Sequence, residues 1–171
     1  VYVHFGAFGT ACLTSDGQIL WRRKLDYAHA HGPGGSPVLY RDLLILSCDG
    51  TDVQYMVALD KNTGQIRWKQ DRGGGRMAFS TPLVIQVGEI DQVISTGGDK
   101  VASYDPSSGQ EIWWFPYDGF SLVPRPVHGQ GLVENNLILK PVVMATQKYS
   151  LSKPTIVADS MIRLIPKNPG K

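Results

Sequence analysis

The chain contains few cysteines, little net charge and no long apolar run. Its two cysteines, Cys12 and Cys48, are too few for a disulfide framework and lack metal-ligand spacing, so each is predicted to be a buried free thiol. Seventeen basic against fifteen acidic residues give a formal charge of +2, which argues against a nucleic-acid partner. No stretch approaches the ~18 apolar residues of a membrane span, so none is predicted. The sequence opens on Val1 without a leader, and we interpret it as a fragment of a longer protein.

Glycine and proline, by contrast, are plentiful. Nineteen glycines and eleven prolines among 171 residues exceed the usual share, and they form no low-complexity tract. Both residue types favour tight turns. The excess therefore indicates many turns with short strands between them.

Two markers recur along the chain with one shared period. The first is the pattern Gly-Gln-x-x-Trp, and successive tryptophans of this pattern are 47 and 45 residues apart. Its copies are residues 17–21, 64–68 and 109–113. The second is a proline followed by Val or Leu, spaced by 45 and 44 residues, at positions 37, 82 and 126. Because the two markers stay in phase, they indicate an internal repeat of ~45 residues.

One period contains four strand-like segments separated by polar turns. In the second copy, the predicted strands are residues 36–40, 43–48, 53–60 and 65–70. Strands of this length joined by Gly, Asn and Asp turns make a four-stranded antiparallel meander. A repeat of ~45 residues with four strands is typical of a β-propeller blade, which needs neighbouring blades to bury its faces. The predicted fold class is therefore all-β, a partial β-propeller.

The repeat resembles the PQQ-type, or quinoprotein-like, propeller repeat. Its hallmark is Ala-x-Asp-x-x-Thr-Gly-x-x-x-Trp, which residues 58–68 match at every specified position. Residues 103–113 carry Ser for the Ala and for the Thr, and residues 11–21 lack the Asp and the Thr. The chain is most similar to bacterial, planctomycete-like proteins of this class, and the resemblance implies that the motif docks one blade onto another. The residues expected in this structural role are Trp21, Trp68, Trp113, Gly17, Gly64, Gly109, Asp60 and Asp105.

The repeat markers divide the chain into blades. We predict propeller blades over residues 1–133, as a partial blade at 1–25, blades at 36–70 and 81–115, and the start of another at 125–133. Residues 134–171 carry neither marker, and we interpret them as a divergent or non-native tail. These units amount to about three to three and a half blades of the eight-bladed ring that the resemblance implies.

Alternate connections of a meander emerge at the same face of the sheets. The longest loops of the chain are predicted to share one such face, which we call the loop face: residues 6–9, 26–35, 49–52, 71–78, 97–100 and 116–124. Long loops on a rigid scaffold are common places for binding residues. The candidates for contact with a ligand or partner are His29, His31, Asp49, Asp52, Arg76, Asp99 and Arg125. Other polar residues predicted on or beside this face are His4, Arg72 and Asp118.

Three of these features allow two interpretations. His29 and His31 are either a metal-binding pair or solvated loop histidines, and the second interpretation is favoured because no carboxylate partner is assured. The glycines before Arg76 resemble a phosphate-binding loop only in composition, since no helix follows, which favours a linker. Arg125 is either a clamp for an anionic ligand or a structural arginine.

Two functions remain open from the sequence. The favoured one is a non-enzymatic binding or scaffold module that contacts a protein, peptide or carbohydrate through the loop face. The alternative is part of a PQQ- and Ca-dependent alcohol dehydrogenase, although neither the adjacent cysteines nor the Glu/Asn/Asp metal set of that family is present. No cofactor or catalytic residue is therefore predicted, and no nucleophile–base pair indicates a hydrolase. The resemblance implies a periplasmic or secreted location.

Overall fold

Four antiparallel sheets follow one another along the chain in the computed structural model, which describes residues 1–73, 75–117, 121–129, 132–135 and 138–141. Sheet 1 consists of β1 (Tyr2–His4), β2 (Thr10–Leu13) and β3 (Ile19–Arg23). Sheet 2 consists of β4 (Val38–Tyr40), β5 (Leu43–Asp49), β6 (Gln54–Asp60) and β7 (Ile66–Asp71). Sheet 3 consists of β8 (Leu83–Val87), β9 (Ile90–Thr96), β10 (Lys100–Tyr104) and β11 (Glu111–Pro116). Sheet 4 consists of β12 (Val127–Gly129), β13 (Leu132–Asn135) and β14 (Ile138–Pro141).

The all-β prediction and the four-stranded antiparallel unit are confirmed. Every strand pairs with its neighbours in chain order, as in a meander. The predicted strand ends differ from the observed ones by at most two residues, and Pro37 and Pro82 stand immediately before β4 and β8. A proline there is tolerated because the first position of a strand can lack an N–H without losing a ladder bond.

The sheets pack side by side because the central strands of sheet 2 bury both of their faces. Alternate residues of β5 point to opposite sides. Leu44 and Leu46 pack into the cluster that also contains Trp21 and Tyr27, and Ile45 packs into the cluster that contains Val93 and other residues of sheet 3. We call the first cluster the first seam, between sheets 1 and 2, and the second cluster the second seam, between sheets 2 and 3.

At the end of each seam opposite the loop face, a carboxylate shapes the turn between the last two strands. Asp60 Oδ1 accepts the backbone N–H groups of Asn62 at 2.9 Å and Thr63 at 3.0 Å. Asp105 accepts those of Ser107 and Ser108 at 2.7 and 3.0 Å. The turn then reaches its glycine, which adopts a positive φ of 70° at residue 64 and 77° at residue 109. That backbone conformation is open to glycine at little cost.

Each of these turns receives the tryptophan of the preceding sheet. Trp21 donates its indole N–H to the carbonyl oxygen of Lys61 at 3.0 Å, and Trp68 donates to that of Pro106 at 3.0 Å. A Cβ atom on Gly64 or Gly109 would stand 2.5 Å from the Cε3 atom of the incoming indole ring. The turn must therefore carry glycine for two reasons, its positive φ and the flat ring that covers it.

Sheet 4 reaches into the segment interpreted from sequence as a tail. Residues 134–135 belong to β13, and residues 138–141 form β14, which pairs antiparallel with β13. The rest of that segment, residues 136–137 and 142–171, lies outside the described residues.

Both cysteines are buried and free, as predicted. Burial raises the pKa of the Cys48 thiol to about 12, so the thiol is protonated at neutral pH. No helix among the described residues is long and apolar enough to cross a membrane.

Candidate functional site

The loop face is held together by backbone hydrogen bonds between connections that are distant in sequence. Thr51 donates its N–H to the carbonyl oxygen of Ala28 at 2.7 Å, and Phe79 donates to that of Leu122 at 2.8 Å. Asp52 is exposed, and its Oδ1 atom accepts the N–H of Ala28 at 2.8 Å. This charge-assisted contact lowers the pKa of the Asp52 carboxyl, chiefly through the Ala28 N–H. Asp52 therefore fastens one loop to another.

Asp49 and Arg72 form a buried ion pair at the loop end of the second seam. Arg72 donates through Nη1 to both carboxylate oxygens of Asp49, at 3.0 and 2.8 Å. The side chains are 2% and 1% exposed for Arg72 and Asp49 respectively. The sequence placed Asp49 on the loop face as a candidate for contact with a partner, and this prediction is wrong because β5 continues through Asp49 and turns its side chain into the second seam. Asp49 is therefore not available to a partner in the folded chain.

The guanidinium of Arg72 reaches across the second seam to sheet 3. A Cβ atom on Gly97 would stand 2.4 Å from Arg72 Nη2, so the guanidinium fills the space that a side chain would need. Nη2 and the hydroxyl of Tyr104 are buried without a hydrogen-bond partner in the described part of the chain. Burial raises the pKa of Asp49 to about 6, against the opposing attraction of Arg72.

A histidine and a tyrosine occupy the matching end of the first seam. His4 contacts the Thr10 hydroxyl through Nδ1 at 2.8 Å and the Tyr27 hydroxyl through Nε2 at 2.9 Å. Burial, with a smaller contribution from His29, lowers the pKa of His4 to about 4. Beside it lies a cavity of about 20 Å³, which has room for about one water and is also lined by Asp49 and Ser80.

His29 is a packing residue rather than a solvated loop histidine. Its Nε2 atom accepts the N–H of Ala7 at 2.9 Å, and the N–H of Gly32 lies 3.1 Å from Nδ1. Its ring packs edge-on against Tyr27. Because Nε2 uses its lone pair to accept the Ala7 N–H, and the other nitrogen of a neutral imidazole carries the ring proton, the imidazole has no lone pair to offer a metal. His31 is exposed, and no group of three or more potential metal ligands occurs among the described residues.

The remaining predicted candidates are exposed or lie outside the described residues. Arg76 and Arg125 are exposed. Asp99 is also exposed and lies in a loop of sheet 3. The backbone carbonyl of Asp99 accepts the N–H of Tyr117 at 2.9 Å. Asp118 lies outside the described residues. Asp49 is joined to another polar residue of the list, Arg72, and Arg76 packs against Gly98, the residue before Asp99.

A rigid aromatic turn on the loop face was missed from the sequence. The connection between β1 and β2 contains the 3₁₀ turn Gly6–Phe8, in which Phe8 donates its N–H to the Phe5 carbonyl at 3.2 Å. Phe8 is 88% exposed and Phe5 is 59% exposed. His29 lies directly under the turn, where a Cβ atom on Gly6 would be 1.7 Å from its Nε2. Two phenylalanines in a short polar-free loop were the available signal.

Two cavities lined by described residues do not fit PQQ with calcium. The cavity at the loop end of the first seam has room for about one water, whereas ligand sites for drug-sized molecules span ~300–1,000 Å³. A larger cleft of about 470 Å³ beside β1 is lined by Tyr2, Val3, His4, Phe5, Gly35, Ser36, Pro37, Leu39 and Leu44. That lining contains no carboxylate, and calcium takes six to eight oxygen ligands. No catalytic step through this cofactor follows from these residues.

The chain is similar to two groups of proteins. Residues 1–135 match the family described as outer membrane protein assembly factor BamB. The quinoprotein ethanol dehydrogenase of Pseudomonas aeruginosa is 32% identical over 80 residues, which cover 40% of this chain and 13% of that protein. BamB from Moraxella catarrhalis matches with a TM-score of 0.62 and 18% identity, over 78% of this chain and 41% of that chain. The quinohemoprotein alcohol dehydrogenase from Comamonas testosteroni matches with a TM-score of 0.56 and 14% identity, over 77% and 30%.

These solved structures are β-propellers, and at such identities the likeness concerns the fold alone. The chain spans 13% to 41% of the length of these relatives, so their activities belong to longer proteins.

Proposed function

Because the chain belongs to the family described as outer membrane protein assembly factor BamB, we propose that it is a non-catalytic binding module that holds a protein partner on its loop face. The family description concerns the assembly of proteins, which favours a polypeptide over a carbohydrate as the partner. On the same ground, the proposed location is outside the cytoplasm.

The observation that carries the proposal is the rigid aromatic turn at Gly6–Phe8. Phe8 and Phe5, 88% and 59% exposed, present apolar surface to water on one turn, and a partner that covers them would remove that surface from water. The turn is already ordered by the His29 contact and by the hydrogen bond from Gly9 N–H to the Gly6 carbonyl at 3.0 Å. A partner that covers a preorganised aromatic ring does not have to order it, which favours affinity.

The polar groups near the turn support binding rather than catalysis. His4 has both ring nitrogens engaged, and Ser80 donates its hydroxyl to the Pro124 carbonyl at 2.7 Å. The Ser47 hydroxyl contacts that of Ser95 at 2.9 Å. A nucleophile needs a base within hydrogen-bond reach, and here each described hydroxyl and the neighbouring imidazole is used to hold loops or strands.

A second candidate is part of a PQQ-dependent alcohol dehydrogenase, which the 32% identity to a quinoprotein ethanol dehydrogenase over 80 residues favours. This second candidate is tested by measuring dye-linked alcohol oxidation after the purified chain is reconstituted with PQQ and Ca²⁺. Quinone absorbance that stays with the protein through desalting, together with turnover, would support the dehydrogenase over the binding module.

The loop-face proposal can be tested with peptides selected for binding. A phage-displayed random-peptide library is panned against the purified chain, and enriched peptides are measured by fluorescence anisotropy. We expect Phe8→Ser to weaken the enriched peptides by tenfold or more without changing Tm. Leu20→Ser is the matched control, since Leu20 is 64% exposed on β3, outside the loop face. The proposal is overturned if no peptide is enriched, or if Phe8→Ser and Leu20→Ser have the same effect.

A further inference from the structure

Trp114 is the one tryptophan of the chain that lies outside the repeat pattern. The residue after the repeat tryptophan is Arg22 in sheet 1, Lys69 in sheet 2 and Trp114 in sheet 3. The other three indoles each donate their N–H to a protein oxygen atom at 3.0 Å, whereas that of Trp114 has no hydrogen-bond partner among the described residues. Its side chain is 51% exposed. Neither burial nor hydrogen bonding therefore gives Trp114 a structural role.

The Trp114 ring lies where the second seam opens at the edge of sheet 3. Trp114 pairs with Ala102 of β10, and Ala102 packs in the second seam. Residues directly opposite each other in an antiparallel pair have their side chains on the same face of the sheet. β11 is an edge strand of sheet 3, and both sheets that flank this seam contain four strands. The ring is thus placed on the outside of a seam between two complete sheets.

An ion pair lies beside the ring on the same face of sheet 3. Lys100 stands two residues before Ala102 on β10, and Glu111 pairs with Tyr104, two residues after Ala102. Lys100 Nζ is 5.6 Å from the centre of the Trp114 ring and 3.0 Å from Glu111 Oε2. The two side chains are partly exposed, at 19% and 29%. Solvent therefore reaches an apolar ring together with a donor and an acceptor at its side.

Sheet 2 contains the same kind of contact with the two residue types exchanged. Lys69 takes the position of Trp114, and its Nζ atom lies 3.8 Å from the centre of the Tyr55 ring on β6. Tyr55 is 3% exposed and belongs to the first seam, so Lys69 covers a ring that is already buried. In sheet 3 the cation is on β10 and the ring is on the edge strand. The exchange therefore leaves an aromatic surface open to solvent at the second seam.

The charges beside the ring favour a neutral ligand. The Lys100 ammonium repels a second cation, and its pairing with Glu111 leaves no net charge to attract an anion. The neighbours of Trp114 on β11 are half-buried Trp113 and buried Phe115, so the exposed apolar surface is one ring. That is small beside the ~800 Å² that each partner buries in a stable protein interface.

We propose that the exposed face of Trp114 binds a neutral saccharide. The C–H groups of a pyranose carry partial positive charge and stack on the negative face of the indole. Neighbouring hydroxyl groups of the sugar donate to the Glu111 carboxylate and accept from the Lys100 ammonium, and a hydroxyl of the next sugar unit accepts the indole N–H. The site lies on sheet 3, whereas the aromatic turn at Gly6–Phe8 belongs to sheet 1, so it does not rest on the loop-face proposal.

The test uses the full 171-residue chain and cellotetraose, a neutral chain of β-linked glucose. The equatorial hydroxyl groups of glucose leave C–H groups on both faces of each ring. Saturation-transfer-difference NMR detects binding, and the indole N–H signals locate it. We expect millimolar affinity and a shift of the Trp114 indole signal, with those of Trp21 and Trp68 unchanged.

Variants separate this site from the loop face. Trp114→Thr removes the stacking surface and should weaken binding by about tenfold or more with at most a small change in Tm, whereas Trp114→Tyr keeps a ring and should retain most of the affinity. Phe8→Ser, at an aromatic residue that is 88% exposed on the loop face, should bind as the wild type does. The proposal is overturned if millimolar cellotetraose gives no saturation transfer, if Trp114→Thr and Phe8→Ser bind equally, or if peptides enriched against the loop face displace the sugar.

Discussion

The two seams that flank sheet 2 are alike at their turn ends and different at their loop ends. At the turn ends, Trp21 and Trp68 each donate an indole hydrogen bond of 3.0 Å to the backbone of the next sheet's turn. At the loop ends, the first seam contains the neutral His4 bonded to Tyr27, and the second contains the buried ion pair of Asp49 and Arg72. Neighbouring sheets thus dock with the same geometry at the turn ends of the seams, whereas the polar residues at the loop ends differ from one seam to the other.

The two loop ends differ in how much stability is lost when one partner of the polar pair is removed. A neutral histidine can lose its partner at the cost of a hydrogen bond, about 1 kcal/mol. A buried carboxylate that loses its guanidinium is left as an uncompensated charge, which costs several kcal/mol. We therefore expect the second seam to be the more sensitive of the two at its loop end and the two seams to respond equally at their turn ends.

The largest expected effect is at the ion pair. Arg72→Met should lower the free energy of unfolding by about 3–5 kcal/mol, because Asp49 remains buried without its partner. The double variant Asp49→Leu with Arg72→Met should recover most of this loss, since well-packed apolar residues replace buried ion pairs at little cost. Urea unfolding followed by tryptophan fluorescence measures both. A loss below about 1 kcal/mol in Arg72→Met would show that this substitution does not leave the Asp49 carboxylate without a compensating charge.

The next effect tests the likeness of the turn ends. Gly64→Ala and Gly109→Ala should each cost about 3 kcal/mol, from the positive φ and from displacement of the indole ring. Gly17→Ala is the matched control, because Gly17 has a φ of 88° but no atom within 4 Å of the added Cβ position. It should cost about 1 kcal/mol from the backbone alone. Equal losses at all three glycines would mean that the indole contact contributes nothing.

A smaller effect separates the loop ends by pH. The pKa of His4 is lowered to about 4, so its contribution to stability is complete above pH 6.5 and is lost as the pH falls through 4. The pKa of Asp49 is raised to about 6, so its contribution is complete below pH 3.8 and is lost as the pH rises through 6. The two contributions have opposite slopes between pH 4 and 6.

Non-titrating variants expose each slope. Relative to wild type over that range, His4→Gln should lose stability as the pH rises and Asp49→Asn should gain it. Denaturant midpoints at half-unit pH steps measure the slopes, and the exposed carboxylates cancel in the comparison with wild type. Two variants with the wild-type slope would contradict the assignment of these groups.

The smallest effect is at the turn carboxylates. Asp60→Ala and Asp105→Ala each remove two hydrogen bonds to backbone N–H groups at an exposed turn, so each should lower Tm slightly. The two decreases should be similar, because these contacts have nearly the same lengths and the further ion pair of Asp60 with Arg67 is exposed. A large difference, measured by thermal unfolding, would break the equivalence of the turn ends.

The turn ends were predictable from sequence because their chemistry is local and recurs. Asp60, its two N–H donors and Gly64 lie within five residues, and the same set returns at Asp105. The strand ends were predicted within two residues because polar turns bound the apolar segments. The eight-bladed ring stays a prediction.

The loop ends were not predictable in the same way. Asp49 and Arg72 are 23 residues apart and follow no motif, so nothing indicated that they pair. Asp49 resembles a turn residue in sequence because Gly50 follows it, yet its side chain alternates into the seam with Cys48 on the opposite side of β5. His29 resembled a solvated residue because it lies in a loop that is rich in glycine, but Gly6, 23 positions earlier, leaves the space that it fills.

A tryptophan from one repeat docks onto the glycine turn of the next. Hydrogen exchange of the indole N–H protons by NMR, assigned with single Trp→Phe variants, tests it most directly. The account predicts slow exchange for Trp21 and Trp68 and fast exchange for Trp114, which is 51% exposed. Gly64→Ala should accelerate exchange at Trp21 and leave Trp68 protected. Fast exchange at Trp21 and Trp68 in the wild-type chain, or no response of Trp21 to Gly64→Ala, would contradict the account.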